Sequence, residues 1–305
     1  MRFLNPKTDF AFKKIFGSEQ SRDILISFLN AILGFEGSGR IEEVNILDPY
    51  TAPKIAGMKD TYVDVKAKDG TGRQFIIEMQ VLNVDGFEQR VLYNACKTYA
   101  GQLEKGEEFV ALTDVIALTI TDFNLFPERP QVINKFKLRA DDGEIYSDDL
   151  ELVFVELPKF TKTEAELVDI QDKWFYFLKH APDVHLIPPT LQSESPIVHA
   201  FDIANRAGLT PEEEDAQFRR EVWIDMQRGI LRKVKQAEQA EKNAEQAEKA
   251  GFEKGMAEGK AKGMAEGERQ KAFSIAEALL SSMDDMQIAR ITGLPLQDIN
   301  TLRCD

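Results

Sequence analysis

The chain has 305 residues, 43% hydrophobic and 30% charged, enough apolar material for one or two packed domains with accessory helices and too much for a disordered chain. Its net charge of −14 argues against non-specific coating of nucleic acid, which takes a basic surface to neutralise phosphates. Cys96 and Cys304 are too few for a disulfide framework or a cysteine zinc site, and His180, His185 and His199 have no compact ligand spacing, so any metal is expected to be oxygen-bound.

No run approaches the roughly 18 to 20 apolar residues of a membrane span, and MRFLNPKTDF lacks the pattern of a signal peptide. A cytoplasmic protein without a membrane partner is expected. Over residues 1–105 basic and acidic side chains balance in number, so the net acidity lies downstream and the first third leaves room for a local basic patch.

In chain order, Thr8 or Asp9 caps a predicted helix with Phe12, Ile15 and Phe16 on its apolar stripe, and a second, SRDILISFLNAILG, stops at Gly34. VNILDPYTAPK offers a first strand. TYVDVKAKDGTGRQFIIEMQV reads as two strands around the hairpin signal Asp69-Gly70-Thr71-Gly72. Residues 86–105 have a helical pattern, DVIALTIT at 114–121 suits a central strand, and VINKFKLRA and LELVFVELPKF extend the sheet. The remainder reads as helical: KTEAELVDIQDKWFYFLKH, SPIVHAFDIANRAG and a long helix opening at Thr210-Pro211-Glu212.

That last helix carries Ala237, Ala240, Ala244 and Ala247 at heptad spacing, then Gly251, Gly255, Gly259, Gly263 and Gly267 at every fourth position. A self-associating coiled coil over 236–270 and a solvated low-complexity helix are both compatible with this, since each interior Gly costs about 1 kcal/mol against Ala. The final segment, MDDMQIARITGLPLQDINTL, reads as helix, Gly293-Leu294-Pro295 turn, helix. With Asp298 in its second helix and Arg303 just past its end, it suits a packing or oligomerisation hairpin better than a DNA reader.

Chemistry concentrates in QFIIEMQV at 74–81. Alternation puts Ile77, Met79 and Val81 on one face and Ile76, Glu78 and Gln80 on the other. A hairpin pairing residues near 68 and 74 sets Asp64 opposite or diagonal to Glu78. Two converging carboxylates repel unless a proton or a hard divalent ion relieves them; the alternative is a solvated acidic face on an edge strand.

Asp64 followed across a hairpin by Glu78-Met79-Gln80 resembles the PD-(D/E)xK nuclease signature, with Gln where Lys is usual. NPKTDFAFKKIFG, DVKAKDGTGRQFIIEMQ, RVLYNACKTYAGQLEKGEEF and DFNLF at 122–126 together resemble the Rpn family of recombination-promoting nucleases and transposases, over nearly the whole chain. The resemblance implies an α/β fold: a restriction-endonuclease-like core of a mixed central sheet flanked by helices, with a long helical C-terminal extension. It implies a nuclease-like domain at 1–190, a helical extension at 191–235, the Ala/Gly-rich helix at 236–270 and a hairpin at 271–305.

It further implies DNA as partner and Mg²⁺, or another hard divalent cation, as cofactor. Asp64, Glu78 and the main-chain carbonyl of Met79 would hold the ion, Gln80 would orient the attacking water, and Asp9 would add an acid from the first helix. Arg90 would contact phosphate while Tyr93, Tyr99 and Gln102, on the helix after the hairpin, position the DNA; the alternative is that the tyrosines are core or rim residues and Arg90 pairs with Glu78 or a surface acid. Lys13 and Lys14 read as a solvated helix face. A neutral amide at position 80 neither takes a proton nor supplies positive charge, which bears on the rate.

The expected function is a metal-dependent DNA endonuclease that promotes recombination or acts in a mobile element. The alternative is a catalytically silent interaction protein working through the nuclease fold, the coiled coil, with association of copies through 236–270, and the terminal hairpin. No Gly-rich loop follows a strand and opens a helix, so a nucleotide-binding enzyme has no support.

Overall fold

The structure is a computed structural model and describes residues 2–51 and 61–304. Thr8 caps helix α1 (Asp9–Phe16) by accepting from the Ala11 amide, and the stripe Phe12, Ile15, Phe16 is buried. Helix α2 (Arg22–Leu33) ends at Gly34, whose φ of 74° is open to glycine at little cost.

Strands β1 (Val44–Leu47) and β2 (Tyr50–Thr51) follow, then β3 (Thr61–Tyr62), β4 (Val65–Asp69) and β5 (Gln74–Gln80). The expected first strand is thus two short ones, and its end at 52–54 lies outside the described residues. The β4–β5 hairpin pairs Lys68 with Gln74 and Val65 with Ile77. Asp69 ties the turn, its Oδ1 accepting from the Thr71 and Arg73 amides at 2.9 and 3.1 Å.

Helix α3 (Phe87–Ala100) leads to β6 (Val115–Thr121), β7 (Ile133–Arg139) and β8 (Ile145–Glu156). The main sheet runs β1-β4-β5-β6-β8-β7, with β2 and β3 paired separately. Pairings β5–β6 and β6–β8 are parallel and the others antiparallel. Every residue of β6 is buried, as a central strand covered on both faces requires. The fold class expected from the sequence is therefore present.

Helices α4 (Ile170–His180) and α5 (Ser195–Ile203) complete the layers. On one face of the sheet Phe75, Ile77 and Met79 join a core with Phe12, Phe16, Phe28 and Trp174, where Phe28 meets Trp174 edge-on at 5.6 Å. On the other face Ile76, Ala117 and Phe154 pack with Phe87, Val91 and Ala95 of α3.

Three sequence expectations need correction: SPIVHAFDIANRAG is an α-helix only as far as Ile203, with a separate 3-10 turn at Arg206–Gly208. The stretch 162–180 is not one helix: a 3-10 turn at Glu164–Glu166 precedes α4. Asp169 accepts from the Asp172 amide at 2.8 Å and so starts α4 late. Gln102 is not on a helix, because α3 ends at Ala100, where Gly101 caps it by donating to the Lys97 carbonyl.

Helix α6 (Pro211–Leu279) is continuous through 236–270. Thr210 and Glu213 form its reciprocal cap, each side chain taking the other's amide. Beside Gly251, Gly255, Gly259, Gly263 and Gly267 the space where a Cβ would stand is open to 4 Å. Helices α7 (Asp285–Thr292) and α8 (Leu296–Cys304) are joined through Gly293 at φ 71°. The chain divides into two compact units, Met1–Gly229 and Ile230–Asp305; the second has its own small core of Ala276, Ile288, Leu294 and Ile299. Among the described residues no helix is long and apolar enough to cross a membrane.

Candidate active site

Where β4 begins at Val65, Asp64 stands one residue outside the strand that was expected to contain it. Its carboxylate replaces a strand partner: Oδ2 accepts the Met79 amide at 2.7 Å. Extending the 65–77 pairing by one step sets 64 against 78, and Asp64 and Glu78 line the same cleft, of about 400 Å³. The Met79 carbonyl leaves β5 on the side of its amide, toward Asp64, since N–H and C=O of one residue face the same neighbouring strand.

Glu78 is 8% exposed and faces α3, where Arg90 and Asn94 are one turn apart. Asn94 Nδ2 donates to Glu78 Oε1 at 2.8 Å, and Arg90 lies 3.6 Å from Oε2. Arg90 also donates to Gln80 Oε1 at 2.8 Å, while Gln80 Nε2 donates to the Leu82 carbonyl at 2.8 Å. The amide of Gln80 is therefore held at both ends on the cleft wall.

From α1, Asp9 and Lys13 reach the same cleft. Lys13 Nζ lies 2.8 Å from Asp9 and 3.6 Å from Asp64. Lys14 points elsewhere, pairing with Glu213 at 2.7 Å. Burial, the hydrogen bond with Asp9 and the charge of that neighbour push the Asp64 carboxyl up to about 7, against the Met79 amide and Lys13. Burial alone would raise Asp9 too, but its bonds to Asp64 and Lys13 outweigh this and hold it below its ordinary value. One proton shared by the pair accounts for the opposite directions. Burial also raises Glu78, with Arg90 and Asn94 offsetting part of the effect.

The four residues expected to meet DNA are divided. Arg90 lines the cleft and, with Tyr93, an adjoining groove of about 610 Å³. Tyr99 is elsewhere, its hydroxyl donating to Asp149 Oδ2 at 2.8 Å. Gln102 clasps Thr113: Nε2 donates to its carbonyl at 2.7 Å, and Oε1 accepts its amide at 3.0 Å and its hydroxyl at 2.7 Å.

Other wall residues escaped the sequence reading. Asn94 does so because its partner Glu78 is on a strand, yet its spacing of four from Arg90 was a usable signal. Asn94 lines the adjoining groove, whereas Arg220 and Trp223 of α6 line the cleft, and Arg220 stacks over the Trp223 ring at 4.5 Å.

Among the described residues no three His, Cys, Asp or Glu side chains form a ready-made metal cluster. The donors that are present, the Asp64 and Glu78 carboxylates with the Met79 carbonyl, are all oxygens. The buried Asn94 Oδ1, on the side chain that donates to Glu78, has no hydrogen-bond partner among the described residues. This chemistry fits a hard cation that fills its remaining positions with water and substrate phosphate.

The chain has no significant match among curated proteins or solved structures. The family model described as PD-(D/E)XK nuclease family transposase matches residues 6–232, a span that holds the sheet, α1, α3 and the whole cleft. The chain belongs to the PD-(D/E)XK nuclease family transposases, and its function is of the nuclease or transposase kind.

Proposed function

We propose that the protein is a divalent-cation-dependent DNA endonuclease, Mg²⁺ being the expected ion, that acts in recombination or in a mobile element. The observation that carries this reading is the pairing of Asp64 and Glu78 on the wall of one cleft, each with its carboxyl raised above the ordinary range by burial. Two such carboxyls gain most from a bound cation, because it removes the cost of their charge.

Asp64, Glu78 and the Met79 carbonyl would hold the ion, which when bound polarises the phosphodiester and acidifies water. Gln80, fixed by Arg90 and the Leu82 carbonyl, is a dipole that orients a nucleophile without exchanging a proton. Arg90 faces a phosphate at the junction of cleft and groove, with Tyr93 on the groove wall. In this reading residues 1–190 carry the catalytic body and the extension 191–235 closes one wall through Arg220 and Trp223. Copies associate through 236–270, a claim that light scattering on the chain with and without that segment tests.

Supercoiled plasmid with Mg²⁺ is the direct assay. Wild-type protein is expected to nick it, a chelator to stop the reaction, and Asp64→Ala and Glu78→Ala to lose it. Cleavage that survives in both variants rejects the reading.

A further inference from the structure

Hydrolysis of a phosphodiester adds a water oxygen to phosphorus and breaks the bond to the leaving oxygen. That oxygen departs with the electron pair and takes up a proton from solvent, while the water gives one up to solvent. Negative charge grows on the phosphoryl and leaving oxygens, and a fixed positive group nearby lowers the barrier. Gln80, where the nuclease signature has Lys, is neutral.

We propose that Lys13 supplies this charge, so that the cation missing from β5 enters the same cleft from α1. The proposal rests on the endonuclease reading above. Among the described residues Lys13 is the cation within 4.0 Å of Asp64, at 3.6 Å. Its side chain is 43% exposed and lines the cleft, so a substrate phosphate can reach it. The other cations on the wall are engaged differently: Arg90 holds Gln80, and Arg220 lies over Trp223.

Helix geometry explains the placement. Phe12, Ile15 and Phe16 face the core, which turns position 13 toward the rim. Asp9, four residues earlier, grips the ammonium at 2.8 Å. Asp9 is then a positioning residue for Lys13 and not itself a ligand of the ion.

The test uses the full chain, supercoiled plasmid and Mg²⁺. Lys13→Met keeps the stem without the charge and is expected to lower kcat about a hundredfold, with KM for DNA changed by less than about threefold. Lys13→Arg is expected to keep part of the rate. Gln80→Lys placed in the Lys13→Met background is expected to recover at least about tenfold of the loss, since it restores a cation to the cleft. Lys13→Gln, with circular dichroism on each variant, replaces Lys13→Met if that protein does not fold.

Wild-type rates in a folded Lys13→Met or Lys13→Gln variant, a loss confined to KM, or no rescue by Gln80→Lys overturns the assignment of Lys13 alone, provided that wild type cuts and Asp64→Ala does not. A wild-type chain that does not cut, or an Asp64→Ala variant that cuts normally, overturns the endonuclease reading and this inference with it.

Discussion

At the end of β8, Glu156 is wholly buried and surrounded by donors. Its Oε1 accepts from Asn134 at 2.8 Å and Lys159 at 2.6 Å, and its Oε2 from the amides of Leu125 at 2.7 Å and Phe126 at 3.0 Å. At the same end of the sheet, in register with it through Thr121, Gln80 marks the cleft of Asp64 and Glu78. There Asp64 has one amide donor, a like-charged neighbour in Asp9 and a lysine at 3.6 Å. Glu156 is taken out of water wholly and Asp64 largely, its side chain being 16% exposed. Glu156 recovers its solvation from the protein and so fastens the 122–131 segment to β8; Asp64 recovers less, and burial raises its carboxyl.

The comparison breaks most easily at Glu156. Glu156→Ala removes the buried carboxylate that Lys159, Asn134 and two amides share, leaving the lysine only its carbonyl acceptors, and is expected to cost about 3–5 kcal/mol in urea unfolding, with no recovery on adding Mg²⁺. A loss under about 1 kcal/mol would mean that the network is not structural.

The cleft carboxylates should respond in the opposite way to cation. Mg²⁺ at about a hundred times its dissociation constant is expected to stabilise the wild type by about 2.7 kcal/mol, seen as a rise in Tm that is absent in Glu78→Ala. An equal rise in that variant places the ion elsewhere.

Removing Asp64 sharpens the contrast further. Its folded carboxyl, at about 7 against an ordinary 3.8, keeps a proton that the unfolded chain has released between these values. Stability without cation therefore falls as pH rises from about 4 to 7. Asp64→Asn removes that penalty and is expected to gain about 1–2 kcal/mol at pH 8 and nothing below pH 4, less than the full shift at 1.36 kcal/mol per unit because Asp9 titrates against it. A variant less stable than wild type at pH 8 contradicts this.

Asp149 is the control. It is exposed and accepts the Tyr99 hydroxyl at 2.8 Å, so Asp149→Asn should change stability by about 0.5 kcal/mol or less and leave cleavage rates as they are. A larger effect would make the exposed pair part of the machinery.

The same contrast explains why separated motifs recur in one chain. Lys7 of NPKTD and Asp122 of DFNLF meet at 3.1 Å, Arg228 pairs with that same Asp122, and the Leu125 and Phe126 amides of DFNLF are the donors to Glu156. Lys7 and DFNLF are not on the cleft wall, whereas Asp9 and Lys13, close behind Lys7, are.

Much of the architecture is determined by local rules and was legible in the chain. Thr8, Gly34 and Gly293 punctuate helices because capping and left-handed backbone are properties of a few neighbouring residues. The Asp69 turn sets the hairpin register, and the period of two then carries Glu78 to the face opposite Ile77 and Met79. That much placed Asp64 and Glu78 together. Tertiary structure alone decided the rest: the parallel neighbours of β5, the buried donors of Glu156, the diversion of Gln102 to Thr113, and the arrival of Lys13, Arg220 and Trp223 at the cleft. The reason is physical. A cap or a turn is paid for within a few residues, but a side chain's electrostatic partner is chosen by how separate elements pack, whatever their separation along the chain, and no periodicity in the sequence encodes that choice.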